Sequence, residues 1–523
     1  MSDTKRQMAD FFPLKIPRQS QVEAMRFMDE AIGRGYEHIV IEAPTGAGKS
    51  LLGATACLSH GSGYYLVTQK LLQDQLESEL AADRTLGCFL LKSAVEYPCQ
   101  RHKNCALGGI RKCERFKEGA CSYSQARLDF MGSRIGVTNY PFFLTERLYV
   151  NKLGARPILV LDECHSVEKQ IINAVEFAIN SKQLKKWNVD IEILRTTDLG
   201  QFLSWIKLQL MPRLVEVSEN LLIMSDGQAD DKLTREAIAI SQHVSKLKTA
   251  ITLYEKDPTD WVYWQQEQED GTFEALIRPL NAAPFAPLLF DSAKVKVHMS
   301  AFPGQKAVYC RSLGIDPAKV MWAKLTSSFA PDKRPIMLTY VGQMRKACQE
   351  QTLPKAIKFI TMILDKHAGE KGLIHSNSYA IQKEIVTALG RTRHRARIIA
   401  PLSSEDRETA FELHKNSVDP TVIISPSMTE GFDFMGNLAR WQVIVKVPFP
   451  NLGDRQVHAK MQRDPEWYQV ETVKTIVQMS GRIVRSDDDW GVTYFLDADF
   501  EMIYGRYSGF FPNWWKQAVQ RLH

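Results

Sequence analysis

Residues 38–50 read HIVIEAPTGAGKS. An apolar run enters a glycine-rich turn, and a helical pattern, LLGATACL at 51–58, follows at once. A buried strand running through such a turn into a helix is the setting a phosphate-binding loop needs. Glycines let successive backbone N–H groups curl round an anion, and the helix N-terminus favours negative charge there. Within Ala43-Pro44-Thr45-Gly46-Ala47-Gly48-Lys49-Ser50, the span Thr45, Gly46, Ala47 and Gly48 is the expected cradle for ATP. Lys49 is expected on the β- and γ-phosphates and the Ser50 hydroxyl on Mg2+. The usual first glycine is Ala43 here.

Working outward, similar short apolar runs recur as GYYLVT (63–68), RIGVT (134–138), RPILVLD (156–162) and KVKVHMS (294–300). More follow as KGLIHS (371–376), TVIIS (421–425), WQVIVKV (441–447) and GVTYFL (491–496). Helical patterns between many of them predict an α/β chain of parallel sheets covered by helices. The strands fall into two groups, before about 165 and after about 290. The run at 156–161 ends in Asp162-Glu163-Cys164-His165. An Asp at the end of a strand suits Mg2+, and the adjacent Glu suits orienting or deprotonating an attacking water. His165 is placed to couple that site to neighbouring elements. The second group carries QMSGRIVR, with Gln478, Arg482 and Arg485. Two arginines three residues apart share a helix face, where one offered across a cleft stabilises γ-phosphate charge. A solvated basic face is the alternative for that segment alone.

The stretch between the groups reads as a largely helical insertion. Residues 166–180, 201–223 and 233–254 have helical periodicity, with Pro212 expected to bend or break the second. Pro279, Pro284 and Pro287 mark a connector into the second strand group.

With 523 residues the chain has room for roughly three or four domains. Its 44% hydrophobic and 24% charged residues exclude a mainly disordered or fibrous chain. It has neither an apolar run of about 18 residues nor, in MSDTKRQMADFF, an apolar signal core. This reads as a cytoplasmic protein without a membrane, in a prokaryotic or viral setting, with a nuclear one compatible. The net charge of +6 is compatible with nucleic acid without requiring it.

Nine cysteines, an odd total, argue against a secreted disulfide framework. Cys99, Cys105, Cys113 and Cys121 are spaced C-x5-C-x7-C-x7-C. Four thiolates suit a 4Fe–4S cluster or tetrahedral zinc. The wide spacing, without close C-x2-4-C pairs, favours iron–sulfur over zinc or four unrelated buried cysteines. The surrounding loop is basic, through Lys92, Arg101, Lys103, Arg111, Lys112, Arg115 and Lys117 against Glu96 and Glu114. Such a patch suits a phosphate backbone or a solvated surface.

Taken together, these residues resemble the XPD/DinG family of superfamily 2 DNA helicases, from about residue 11 to 500. Arg18 and Gln21, in PRQSQVEAM, are similar to that family's adenine-sensing motif, and Thr68 and Gln69 to its strand-contacting motif Ia. YPC (97–99) and CSYSQAR (121–127) resemble the two ends of its iron–sulfur loop, and VTNYPFFL (137–144) the segment after it. DECH is similar to its Walker B box, and SNSY (376–379) is a weak motif IV. Glu430, Gly431, Asp433 and Gly436 resemble motif V, and QMSGRIVR motif VI. Ser300-Ala301 resembles motif III, in which Phe302 stands where the family has Thr.

The resemblance implies two RecA-like lobes: 1–91 and 122–168, with a return strand at about 285–305, and 306–523. It also implies an iron–sulfur loop at 92–121 holding a 4Fe–4S cluster, and a mainly helical arch at 169–284. Implied activity is ATP-driven 5′→3′ movement of a monomer on single-stranded and forked DNA, with duplex unwinding. A translocase that does not separate strands, a catalytically silent nucleic-acid-binding protein and an RNA-directed motor are the rivals. The aromatic tail, Phe510, Phe511, Trp514 and Trp515, is expected to pack on the second lobe rather than stack on bases. Phe11 and Phe12 suit adenine contact and core packing equally.

Overall fold

The computed structural model describes the chain except residues 1–5, 15, 45, 69–72, 74, 75, 77–79, 81–83, 100, 102–104, 107–112, 118–120, 229, 230, 268–270, 327, 328, 429–431, 433, 485–487, 522 and 523. Every apolar run named above forms a strand. They assemble into two seven-stranded sheets, parallel throughout.

Across the first sheet the strands run Val320–Lys324, His38–Glu42, Ala293–Ser300, Arg156–Asp162, Gly63–Val67, Ile135–Asn139 and Cys88–Leu90. Its central strands are buried along their length, as a sheet with both faces covered requires. The second sheet runs Ile398–Ile399, Val422–Ser425, Gly372–His375, Trp441–Ile444, Val492–Asp497, Ile336–Gly342 and Val519–Arg521. Each sheet has an apolar cluster on either face.

The order of the first sheet corrects one boundary. The segment expected to open the second lobe at 306 sends Val320–Lys324 back to pair with His38–Glu42. Tyr309, Cys310, Leu313 and Val320 belong to the first sheet's apolar cluster. No alternation marked this edge strand, because it is only partly buried.

The middle segment departs further from expectation. Helices Val167–Val175, Leu199–Trp205, Met211–Gln228 and Asp231–Lys256 are present. Residues 177–180, read as helical, instead form the strand Phe177–Asn180. It joins Phe273–Pro279 and Trp261–Glu267 in a three-stranded antiparallel sheet. This unit has its own apolar core around Trp187, Phe202 and Trp205. Pro212 neither breaks nor ends its helix. A wide π turn, Ile206–Leu210, precedes it and relieves the missing N–H and the ring's clash with the preceding turn.

Helices Arg455–Arg463 and Pro465–Ser480, between two strands of the second sheet, reach the first lobe and the insertion. Lys460 pairs with Glu168, and Trp467 Nε1 donates to the other Glu168 oxygen at 3.0 Å. Arg278 pairs with Glu176 and, at 3.0 Å, with Asp454. Gln456 Nε2 donates to the Pro279 carbonyl at 2.7 Å. Phe511 and Trp515 are buried in the second lobe, with Phe510 and Trp514 against the same cluster. Phe11 and Phe12 pack on the first sheet.

Candidate nucleotide-binding site

The loop after strand His38–Glu42 turns where glycine is needed. Gly46 and Gly48 have φ of 80° and 72°, while Ala43 is not left-handed, so alanine is tolerated there. Arg18 Nη1 donates to the Gly46 carbonyl at 2.6 Å, and Gln21 Nε2 to the Gly48 carbonyl at 3.3 Å. Gln21 Oε1 accepts the Arg18 N–H at 2.8 Å, tying the two together. The chain around 18–21 therefore touches the loop directly. Lys49 and Ser50 open helix Lys49–Ser59. The Lys49 ammonium lies 3.5 Å from the Ala43 carbonyl, folded over the loop. Thr45 lies outside the described residues.

Asp162 ends strand Arg156–Asp162 and is buried. Its Oδ1 accepts the Glu163 N–H at 2.9 Å and its Oδ2 accepts the Tyr65 hydroxyl at 3.2 Å. Tyr140 holds the same residue by its backbone, donating to the Asp162 carbonyl at 2.8 Å. Burial, helped by the neighbouring Glu163 charge, pushes the Asp162 carboxyl up to about 6. Glu163 takes a left-handed backbone, φ 47°. Burial would raise its carboxyl too, yet the charges of Lys49, His165 and Arg482 together hold it well below the usual range. Two adjacent carboxyls thus differ: half-buried Glu163 is retained as an anion by Lys49, His165 and Arg482, while buried Asp162 is pushed toward gaining a proton.

The same neighbourhood draws in the second lobe. His165 Nδ1 lies 3.2 Å from Glu163 Oε2, 2.9 Å from Ser300 Oγ and 3.4 Å from Gln478 Nε2. Gln478 is in the last turn of helix Pro465–Ser480. Arg482 follows, its Nη1 donating to the Phe432 carbonyl at 3.3 Å. Lys49, Glu163, His165, Ser300, Gln478 and Arg482 therefore share one electrostatic neighbourhood spanning both sheets. Arg485 and Asp433, with Gln69, Glu430 and Gly431, lie outside the described residues. Reading by sequence passed over Tyr65: it sits inside an apolar strand, where nothing local marks a hydroxyl aimed at a carboxylate.

The cysteines Cys99, Cys105, Cys113 and Cys121 are free thiols. Cys99, Cys105 and Cys121 pack on one apolar cluster. Cys105 Sγ lies 3.5 Å from Ser122 Oγ, and Cys121 Sγ 3.0 Å from Ser124 Oγ. Cys121 Sγ also accepts the Ser124 N–H at 3.4 Å. Cys113 is buried but belongs to none of the clusters that hold the other three. Among the described residues, no three His, Cys, Asp or Glu side chains stand together as a metal site. The donor chemistry suits iron–sulfur ligation, but in this structure the four sulfurs do not form one ligand set. Nor is any helix among the described residues long and apolar enough to cross a membrane.

Comparison with known proteins agrees with this layout. Residues 14–188 match the family described as type III restriction enzyme, res subunit. Residues 360–518 match the helicase C-terminal domain. The chain is 29% identical over 122 residues to the Fanconi anemia group J protein homolog of Gallus gallus, covering 21% of this chain and 10% of that protein. It is 27% identical over 130 residues to the ATP-dependent DNA helicase chl1 of Schizosaccharomyces pombe, covering 21% of this chain and 15% of that one. The matched stretches are thus a small part of these relatives' length. Two solved XPD structures superpose over nearly the whole chain. One, an XPD helicase, has a TM-score of 0.65 at 15% identity, covering 97% of this chain and 100% of that one. An apo XPD has a TM-score of 0.62 at 14% identity, covering 96% and 100%. These superpositions establish two RecA-like lobes in one α/β chain. The two curated relatives come from a bird and a yeast, and lend no support to a prokaryotic or viral setting.

Proposed function

We propose that the chain is of the XPD/DinG type within helicase superfamily 2, and that it is an ATP-dependent DNA helicase moving 5′→3′ on single-stranded and forked DNA as a monomer. One observation carries the reading: Gln478 of the second lobe meets His165 beside Glu163 of the first, with Lys49 and Arg482 both acting on the Glu163 charge. Two lobes sharing one site are what nucleotide-driven closure needs.

In this proposal Arg18 and Gln21 read the base, and the loop from Thr45 to Gly48 cradles the phosphates. Lys49 holds the β- and γ-phosphates, with Ser50 and Asp162 as the Mg2+ ligands. Mg2+, when bound, neutralises charge on the phosphate oxygens. Glu163 orients the attacking water and receives its proton. Gln478, with Arg482 or Arg485, meets the charge developing on the γ-phosphate, and Asp433 is assigned to nucleotide binding by the resemblance. The first lobe is formed by 1–91 and 122–168 with its return strands, 92–121 is the cluster loop and 169–284 the arch. The 4Fe–4S cluster on Cys99, Cys105, Cys113 and Cys121 is proposed from their spacing and the resemblance, as a structural group with no part in hydrolysis.

Strand separation on tailed duplexes tests the function. With ATP and Mg2+, a 5′-tailed duplex is expected to open and a 3′-tailed one to stay paired; the reverse preference would overturn the direction, and neither opening would overturn the helicase. The same anaerobic preparation, assayed for metal, should be brown, with about four irons per chain. A colourless chain without iron would remove the cluster and leave the ATP site standing.

A further inference from the structure

Strand Ala293–Ser300 of the first sheet ends beside the carboxylates, and the turn that follows it reaches toward the second lobe before the chain returns to the first sheet. Two residues on, Phe302 is fully buried in the apolar cluster of the second lobe. That cluster includes Val473, Ile476 and Val477 of helix Pro465–Ser480, with Val447 and Phe495 from beneath it. Gly304 confirms how close the approach is. Its φ is 104°, and a Cβ there would lie 3.0 Å from Val470 Cγ1 and 3.3 Å from Lys474 Cδ, both on the same helix.

On one side of Phe302, then, is the ATP site of the first lobe. The Phe302 N–H donates to Ser300 Oγ at 3.4 Å, and that oxygen lies 2.9 Å from His165 Nδ1 and 3.5 Å from Glu163 Oε2. On the other side, Val477 immediately precedes Gln478, whose amide returns to His165 at 3.4 Å. The path closes on itself within a few residues. A hydroxyl at position 302 would offer one directional bond that breaks and re-forms. A benzyl side chain in a close-packed core instead passes displacement on, because such interiors hardly compress.

We propose that Phe302 is a positioning residue: it fixes the helix bearing Gln478, and Arg482 beyond it, to the strand end bearing Ser300, so that packing sets the second lobe's half of the ATP site. The proposal rests on the ATP-site reading above, and its test keeps the two apart.

The full chain is assayed for ATP turnover with single-stranded DNA, for affinity toward a fluorescent ATP analogue, and for folded fraction by near-ultraviolet circular dichroism. Phe302→Ala is expected to lower kcat at least about tenfold with affinity within about twofold, and Phe302→Leu to restore most of the loss. Phe302→Val carries the test if the alanine chain does not fold, with an intermediate kcat at unchanged affinity. Wild-type kcat in the folded variants, or a joint loss of affinity and turnover, overturns the proposal. Lys49→Ala is the separate control: turnover retained there overturns the site reading and this inference together. A dead Lys49→Ala beside a wild-type-like Phe302→Ala overturns this inference alone.

Discussion

Glu163 and Glu168 lie five positions apart and differ in how openly the sequence displays them. Glu163 follows a strand and an Asp, so its role is readable from spacing. Glu168 is one acidic residue on an amphipathic helix, and nothing local distinguishes it from a solvated side chain. The structure buries it between lobes, facing Lys460 and Trp467, with only 13% and 4% of the Glu168 and Lys460 side chains exposed. Removing one partner of a buried pair leaves the other charge without compensation. Glu168→Ala is expected to cost about 3 kcal/mol, the low end of that class, because Glu471 and Asp464 also act on Lys460. The joint replacement Glu168→Leu with Lys460→Met should recover most of it. Denaturant midpoints measure both, and a Glu168→Ala chain as stable as wild type would show that the pair contributes nothing.

Among the elements, those with strong periodicity or continuous apolar character were legible, and those shaped by tertiary context were not. Strands HIVIE and RPILVLD are buried on both faces, so their apolar runs announce them. Trp261–Glu267 is half-exposed along most of its length, and its pairing with Phe273–Pro279 depends on partners distant from either strand's own pattern. Pro212 shows the opposite failure: a local rule was correct in energy, and a π turn elsewhere in the helix met the cost. Helix Lys49–Ser59 supplies a sharper case. A Cβ on Gly53 would lie 2.5 Å from Tyr65 Cε2 and 2.8 Å from Val160 Cγ1, both on the sheet. Gly53→Ala gains about 1 kcal/mol of helix propensity but overpacks by about 1–3 kcal/mol. The helix is therefore expected to lift from the sheet and carry Lys49 with it, lowering both melting temperature and ATP affinity. An equal or raised melting temperature with unchanged affinity would contradict that packing argument.

At the scale of the molecule, the two groups of strands foretold two lobes, and the loop, the DECH box and QMSGRIVR foretold which ends of them face one another. The segment 306–325 was misassigned because a chain crossing between lobes carries no marker of where it crosses; contacts such as Val320 with His38 decide it. The docking of helices Arg455–Arg463 and Pro465–Ser480 on the first lobe was equally silent, being built from single charged pairs and from Phe302 and Val308, apolar residues that no local pattern singles out. Yet that docking brings Gln478 to His165, without which there are two half-sites. In the proposed function these halves form one ATP-hydrolysing centre, with Glu163 as its base. Steady-state ATP hydrolysis by wild type and by Glu163→Gln, each with and without single-stranded DNA, tests this most directly. The expected result is DNA-stimulated turnover in wild type and a loss of at least about 100-fold in Glu163→Gln, with nucleotide still bound. A Glu163→Gln chain that hydrolyses ATP at the wild-type, DNA-stimulated rate would contradict it.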